Sequence, residues 1–254
     1  MRIQRVNLIQ DYIQEHQSVS LDTLCEVFNV SKNTVRRDIN ALVEKGLIKK
    51  VYGGVTALTP PPSSQKVLPY EERDIKFSEE KDALCRTAAQ FIEDGDIIYI
   101  DTGTTCRNII DYITDKECTI ITNSLLVATK AIPYPNLNII SLPGKLKRET
   151  LSFVGTECLD YFKRYNIGKA FLACSGVTLE NGLTNSTTEE YIIKKEVIEN
   201  SRENYLMADH SKFGIVSLMT FAKFNQIQSI ITDQELPEAY QEYCSEHSID
   251  LIIS

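Results

Sequence analysis

Apolar residues recur at helical spacing from the first turns of the chain. In 2–16 they stand at Ile3, Val6, Leu8, Ile9 and Ile13, which fits one buried face of an amphipathic helix. Gln17-Ser18 interrupts that run. Ser20 is an N-cap residue for a second helix, 21–28, with Leu21, Leu24, Cys25 and Phe28 inward. Asn29-Val30 turns the chain into a third helix, opened by Ser31, in which Val35, Ile39, Leu42 and Val43 share one face. On that helix Asn33, Arg37 and Asn40 point away from the apolar stripe, and Thr34 and Arg36 flank it. Gly46 stands where a helix closes in a left-handed cap. Residues 47–51 then read as a strand and Gly53-Gly54 as a tight turn. Three short helices followed by a two-strand wing predict a winged helix-turn-helix over 1–57.

The pattern changes after residue 57. ALTPPPSSQKVLPY combines stiff Pro60–Pro62 with Ser63-Ser64, the composition of a linker, placed at 58–70. From 71 to 254 helical and strand periods alternate. Helices are expected at 78–93, 107–113, 125–132, 155–165, 188–200 and 237–247. Strands are expected at 96–100, 118–122, 137–142, 169–174, 204–207, 228–232 and 250–253. Such alternation predicts an α/β domain on a mostly parallel sheet. The fold class is therefore α/β, an N-terminal winged helix-turn-helix joined to a larger α/β domain.

Charge sharpens the division. The chain of 254 residues carries a net charge of −8. Residues 1–57 hold eight Lys/Arg against six Asp/Glu, or +2, and the remainder holds 19 against 29, or −10. A mildly basic head on an acidic body fits local docking on DNA. Arg pairs with guanine edges and Asn with adenine, so the DNA-reading candidates are Ser31, Lys32, Asn33, Thr34, Arg36, Arg37 and Asn40, with Lys50 and Tyr52 from the wing. Seven scattered cysteines without C-x-x-C suggest neither a disulfide framework nor a zinc site and fit a reducing cytosol best. No run of eighteen apolar residues predicts a membrane span, and the N-terminus lacks the apolar core of a secretory signal. No metal or cofactor is expected.

In the second half, polar residues gather just after predicted strands, where open α/β sheets bind ligands. Asp101-Thr102-Gly103-Thr104-Thr105 follows DIIYI, and its amides and hydroxyls suit a phosphate. Thr122-Asn123-Ser124 repeats that arrangement. Pro143-Gly144-Lys145, Ser175-Gly176, Gly182-Leu183-Thr184-Asn185 and Asp209-His210-Ser211-Lys212 occupy similar places. Hydroxyls, amides and a few cations suit a sugar phosphate. Neither G-x-G-x-x-G nor G-x-x-x-x-G-K-[ST] occurs, which argues against dinucleotide and nucleoside-triphosphate sites.

These stretches carry a family resemblance. V-S-L-D-x-L, S-x-N-T-V-R-R-D-I-N-x-L-x-E-K-G and K-V-Y-G-G-V, from Val19 to Val55, resemble the DNA-binding signature of DeoR-type bacterial transcription regulators. D-x-G-T-T, T-N-S, the S-G pair, G-L-T-N and A-D-H-S-K-F-G resemble the effector domain of the same family. That resemblance implies a ribose-5-phosphate isomerase-like, sugar-phosphate-binding domain. It implies ligand contacts at Asp101, Gly103, Thr104, Thr105, Asn123, Ser124, Gly176, Asp209 and Lys212. Thr102, Gly144, Lys145, Ser175 and Thr184 complete the effector-site candidates. Many family members have Gly-Gly where Gly144-Lys145 stands here. Further stretches, among them FNVSKNTVRRDIN and FIEDGDIIYIDTGTT, are similar to the family branch that represses myo-inositol catabolism. The resemblance thus implies a cytoplasmic homodimer or homotetramer that represses a carbohydrate operon. It would leave its double-stranded operator when a phosphorylated sugar or keto-acid intermediate binds. The alternative is a sugar-phosphate isomerase-like enzyme carrying a DNA-binding module. There Glu189, Glu190 or Asp209 would be bases and Lys194, Lys195 or Lys212 electrophilic partners. Glu-Lys pairs on the 188–200 helix are also ordinary i,i+4 stabilisers.

Overall fold

The computed structural model describes residues 2–16, 18–44, 48–51, 53–57 and 70–254. The chain divides into two compact units, Met1–Gln65 and Lys66–Ser254.

The N-terminal unit runs α1 (Arg2–His16), β1 (Ser18–Ser20), α2 (Leu21–Val27), α3 (Lys32–Glu44), β2 (Ile48–Val51) and β3 (Gly54–Ala57). The Ser20 side chain accepts from the Thr23 amide at 3.0 Å, and the Ser31 side chain from the Thr34 amide at 3.3 Å. Both serines therefore satisfy a first-turn N–H of their helix. The inward residues meet in one core: Val6, Ile9 and Ile13 from α1, Leu24 from α2, Val35, Ile39 and Leu42 from α3, and Val19, Ile48 and Val55 from the sheet. Each fully buried aliphatic side chain contributes about 1.5–3 kcal/mol, enough together to hold so small a unit. The wing differs from expectation in one respect. Ser18–Ser20, read as part of a break, is a third strand, paired antiparallel to β3 through Ser18↔Thr56 and Ser20↔Gly54. Three residues are too few to display a period of two. The expected cap at Gly46, and with it Leu47 and Tyr52, lies outside the described residues.

Tyr70, expected at the end of the linker, instead opens α4 (Tyr70–Ile75) and is buried. The rest of this unit runs α5 (Ser78–Ala89), β4 (Ile97–Ile100), a 3-10 turn at Arg107–Tyr112, β5 (Cys118–Thr122), α6 (Leu125–Ala131) and β6 (Leu137–Ser141). Next come β7 (Lys145–Lys147), β8 (Ser152–Val154), α7 (Glu157–Phe162), β9 (Ile167–Leu172), β10 (Gly176–Thr178), β11 (Gly182–Asn185) and α8 (Thr188–Asn200). β12 (Ser201–Met207), β13 (Met219–Ala222), β14 (Ser229–Thr232), α9 (Glu238–Glu246) and β15 (Asp250–Ile253) close the unit.

Seven strands form one sheet in the order β15-β14-β12-β9-β4-β5-β6, every adjacent pair parallel. Alternate residues feed two separate cores. Ile98, Ile100, Ile120 and Phe171 pack with α5 and α6. Tyr99, Ile121, Ala170 and Leu172 pack with α7, α8 and α9. A parallel sheet buried on both faces explains strands such as IIYI, which are apolar throughout. From β4 the chain winds outward to β5 and β6. From β9 it winds the other way to β12, β14 and β15. The switch point lies between β4 and β9.

Three expectations need correction. In place of the helix expected over 107–113, Arg107–Tyr112 form a 3-10 turn, with Ile109 N–H bonded to Cys106 O at 3.1 Å; Cys106 supplies no side-chain cap, and short uncapped turns tighten this way. Ser175-Gly176 and Gly182–Asn185, read as loops, lie at or in β10 and β11, which form an antiparallel sheet with β13. Lys145, read as part of a turn, begins the hairpin β7–β8. Strands of three or four residues rich in Gly and Thr carry turn chemistry and no clear alternation, so the sequence conceals them.

Candidate functional site

In the N-terminal unit α3 turns its apolar stripe inward and leaves Lys32, Asn33, Arg36, Arg37 and Asn40 exposed. Thr34 is half-buried, its hydroxyl 3.0 Å from that of Ser31. Lys32 pairs with Asp22 of α2. Lys49 and Lys50 are exposed on β2. The outer face of one helix and one strand of the wing thus present cations and amides, the groups that contact phosphates and base edges. One charge on α3 behaves differently. Asp38 is buried and accepts from Arg5 Nε at 2.8 Å, tying α1 to α3. The sequence reading missed this pair, and Lys49 as well. The signal for Asp38 was available, because it precedes Ile39 on the inward side of the stripe.

In the C-terminal unit the centre is Asp101, immediately after β4 at the switch point. It is 1% exposed. Its Oδ2 accepts from the Ala173 amide at 3.0 Å and from Lys194 Nζ at 2.7 Å. Lys194, from α8, is also buried and donates to the Ala173 carbonyl. Burial pushes the Lys194 ammonium pKa down, but Asp101 and Glu190 outweigh it and the net displacement is upward. Lys194 therefore stays charged inside the fold. Thr102, Thr104 and Thr105 are buried around Asp101. Gly103 packs so closely on β9 that a Cβ would come 2.6 Å from Ala173 Cβ.

Asn123 follows β5. It accepts from Tyr99 Oη at 2.7 Å and donates to Phe153 O at 2.9 Å. Ser124 caps α6, accepting from the Val127 amide at 3.2 Å. A void of about 10 Å³ is lined by Asp101, Thr102, Asn123, Ser152, Val154 and Lys194, with Glu190 and Ile193. That is room for about one water.

Beyond β12, Asp209 caps a 3-10 turn through the Ser211 amide at 3.0 Å. Its Oδ2 is buried without a hydrogen-bond partner among the described residues, with Lys212 Nζ 4.0 Å away. Lys81 lies in the same electrostatic neighbourhood. It is buried and donates to Lys76 O at 2.6 Å and to Arg73 O. Burial, offset in part by Asp209, pushes its pKa down to about 8. Cys174 connects the two groups: burial pushes its thiol up to about 12, and it feels the charges of Lys194, Lys212, Asp209 and Asp101.

The remaining candidates are not among the residues that line the void. Thr184 donates to Gly176 O at 2.9 Å and accepts from the Ser217 amide at 2.8 Å. The Ser175 hydroxyl accepts from Ser186 at 3.2 Å. These groups stitch the small antiparallel sheet together. Gly144 and Lys145 are exposed at the start of β7. Lys194 and Glu190 were absent from the site expected from sequence. Glu190, Ile193, Lys194, Val197 and Ile198 form the i, i+3, i+4, i+7, i+8 stripe of α8, but the same Glu-Lys spacing also describes a surface pair. Among the described residues no cluster of three His, Cys, Asp or Glu side chains is placed to hold a metal, and no helix is long and apolar enough to cross a membrane.

Both units have counterparts among known domain families. Residues 5–60 match the DeoR-like helix-turn-helix domain, and residues 76–234 match the DeoR C terminal sensor domain. The chain belongs to the DeoR family. It is 47% identical over 252 residues to the HTH-type transcriptional regulator IolR of Bacillus subtilis, covering 99% of both chains. It is 30% identical over 249 residues to the glycerol-3-phosphate regulon repressor of Escherichia coli, covering 98% of this chain and 97% of that one. Among solved structures, ribose 5-phosphate isomerase A from Methanocaldococcus jannaschii aligns over 54% of this chain and 55% of its own, at 19% identity and a TM-score of 0.40. A DeoR-family transcriptional repressor with a DNA-binding head and a sensor domain is what the two matched regions make of this chain.

Proposed function

We propose that this repressor controls a carbohydrate catabolic operon, that of myo-inositol, and leaves its operator when a phosphorylated sugar or keto-acid intermediate binds the sensor domain. The observation that carries the effector reading is the polar cluster at the switch point of the parallel sheet, the place where open α/β sheets take their ligands. Asp101 and Lys194 supply fixed charges there. Thr102, Asn123 and Ser152 supply groups for hydroxyls, and the Asp101–Thr105 turn supplies backbone amides. The resemblance of this chain to the myo-inositol branch of the family supports the pathway. The name of the Escherichia coli relative, a glycerol-3-phosphate regulon repressor, supports a phosphorylated effector. On the DNA side, Arg36, Arg37 and Asn40 read the major groove and Lys50 meets backbone phosphate. One such head covers a single half-site, so the working unit is a homodimer or homotetramer.

The isomerase-like alternative gains little from the geometry. Of its candidate bases, Glu189 pairs with Lys147, Glu190 Oε2 accepts from Thr187 Oγ1 at 3.0 Å and Asp209 Oδ1 accepts from the Ser211 amide at 3.0 Å, so each is engaged within the fold. The test is a thermal-shift screen of phosphorylated sugars and keto-acids against the full-length protein. A compound that raises Tm without being turned over is the expected result. Turnover of a bound sugar phosphate would reverse the assignment.

A further inference from the structure

The void at the switch point has room for about one water, whereas pockets that hold small organic ligands run to about 300 Å³ and more. One wall must therefore move for a ligand to enter. β4 and β5 are central strands of the sheet, and α8 is cemented by Ile193, Val197, Ile198 and the Lys194–Asp101 pair. The fourth wall is the hairpin β7–β8, a two-stranded sheet of its own. Gly144 at φ +145° and Gly155 at φ +138° bound it, torsions that glycine adopts readily and other residues do not. Its inner face is buried through Ser152 and Val154, and its polar ties run to neighbouring loops and helix ends: the Phe153 amide donates to Asn123 O at 2.8 Å and the Leu125 amide to Leu151 O at 2.9 Å, Asn123 Nδ2 reaches Phe153 O, Cys158 Sγ donates to Pro143 O at 2.7 Å, and Lys147 Nζ stands 3.3 Å from Glu189 Oε2.

Register decides which hairpin residues face the void. Lys147 is opposite Ser152 and Lys145 opposite Val154, and residues directly opposite in an antiparallel pair project to the same face. Ser152 and Val154 line the void, so both lysines lie on the pocket face. Lys147 is the more enclosed, its side chain 19% exposed. Its partner Glu189 is held below the usual carboxylate range, first by a hydrogen bond from its own backbone amide and then by Lys147. Glu189 is next in sequence to Glu190, another lining residue.

We propose that Lys147 is a ligand for the effector's phosphate, carried on the β7–β8 hairpin as a lid and latched to Glu189 while the pocket is empty. The proposal rests on the effector reading above and adds a residue that the sequence pattern did not select. Opening the lid breaks the Lys147–Glu189 pair, and closing over a phosphorylated ligand gives Lys147 an anion in exchange.

Amide hydrogen exchange on the full-length protein tests this, with inorganic phosphate as the probe. Without phosphate, Glu189→Gln and Lys147→Ala should each speed exchange at Phe153 and Leu125 about threefold, the size of effect expected from losing a partly exposed ion pair. Exchange at Val197, in the core of α8, should stay constant. Equal exchange at Phe153 in all three proteins overturns the latch. With phosphate, Phe153 should slow in wild type and in Glu189→Gln but not in Lys147→Ala. Equal slowing in all three removes Lys147 from the site while leaving the pocket reading intact. Slowing at Thr104–Cys106 reports phosphate at the pocket itself, so its absence overturns the pocket reading and the proposal with it.

Discussion

α3 and α8 are both helices of 13 residues, and they distribute charge in opposite ways. α3 turns its cations outward and keeps one buried carboxylate, Asp38, paired with Arg5. α8 places Glu190 and Lys194 on its inward stripe and spends that face on a small polar cluster. An outward cation costs little and remains free to meet a macromolecule. An inward cation must be paired on the spot, because an isolated buried charge is very costly. Such a charge is fixed in position and serves a small ligand, or the fold itself.

Removing the inward charge should have the largest effect. Lys194→Met leaves Asp101 buried with only the Ala173 amide, and unpairing a buried ion of this kind costs about 3–5 kcal/mol. Urea unfolding should show that loss in the sensor transition, and adding Asp101→Asn should restore most of it. A loss under about 1 kcal/mol would mean that water reaches Asp101, and the contrast with α3 would weaken.

The outward charge should behave in the opposite manner. Arg37→Ala should leave stability within about 0.5 kcal/mol of wild type. It should weaken operator binding by about 1–3 kcal/mol if Arg37 reads a base. Unchanged operator affinity in a gel shift would reduce that face of α3 to a solvated surface.

How much of this was legible in advance follows from the same contrast. The stripe Val35, Ile39, Leu42, with Arg37 and Asn40 opposite, could be read because amphipathic helices announce both faces. The alternation of long elements revealed the parallel sheet, and Asp101 stood out because it closes an apolar strand. Lys194 did not, since a Lys at i+4 from Glu190 also describes an ordinary surface pair, and only packing separates the two. The antiparallel pieces β7, β8, β10, β11 and β13 were hidden for a related reason. They are three or four residues long, and one pairing among them, Leu183↔Ala222, joins partners distant in sequence.

Lys81 offers a smaller and subtler check. Burial lowers its pKa from 10.5 to about 8. Between those values the unfolded chain keeps a proton that the folded protein releases, so stability should rise with pH across that window. Lys81→Met removes the titration. From pH 8 to 10 wild type should therefore gain on the variant by about 2 kcal/mol, read from the difference between their urea midpoints. Parallel pH profiles would show that Lys81 stays hydrated.

The account as a whole stands on coupling between the inward cluster and the outward helix. Operator affinity of the full-length protein, measured with and without the phosphorylated compound that raises its Tm, tests this most directly. A coupling of about 2 kcal/mol would weaken operator binding roughly 30-fold. A compound that binds the sensor domain and leaves operator affinity unchanged would contradict the account.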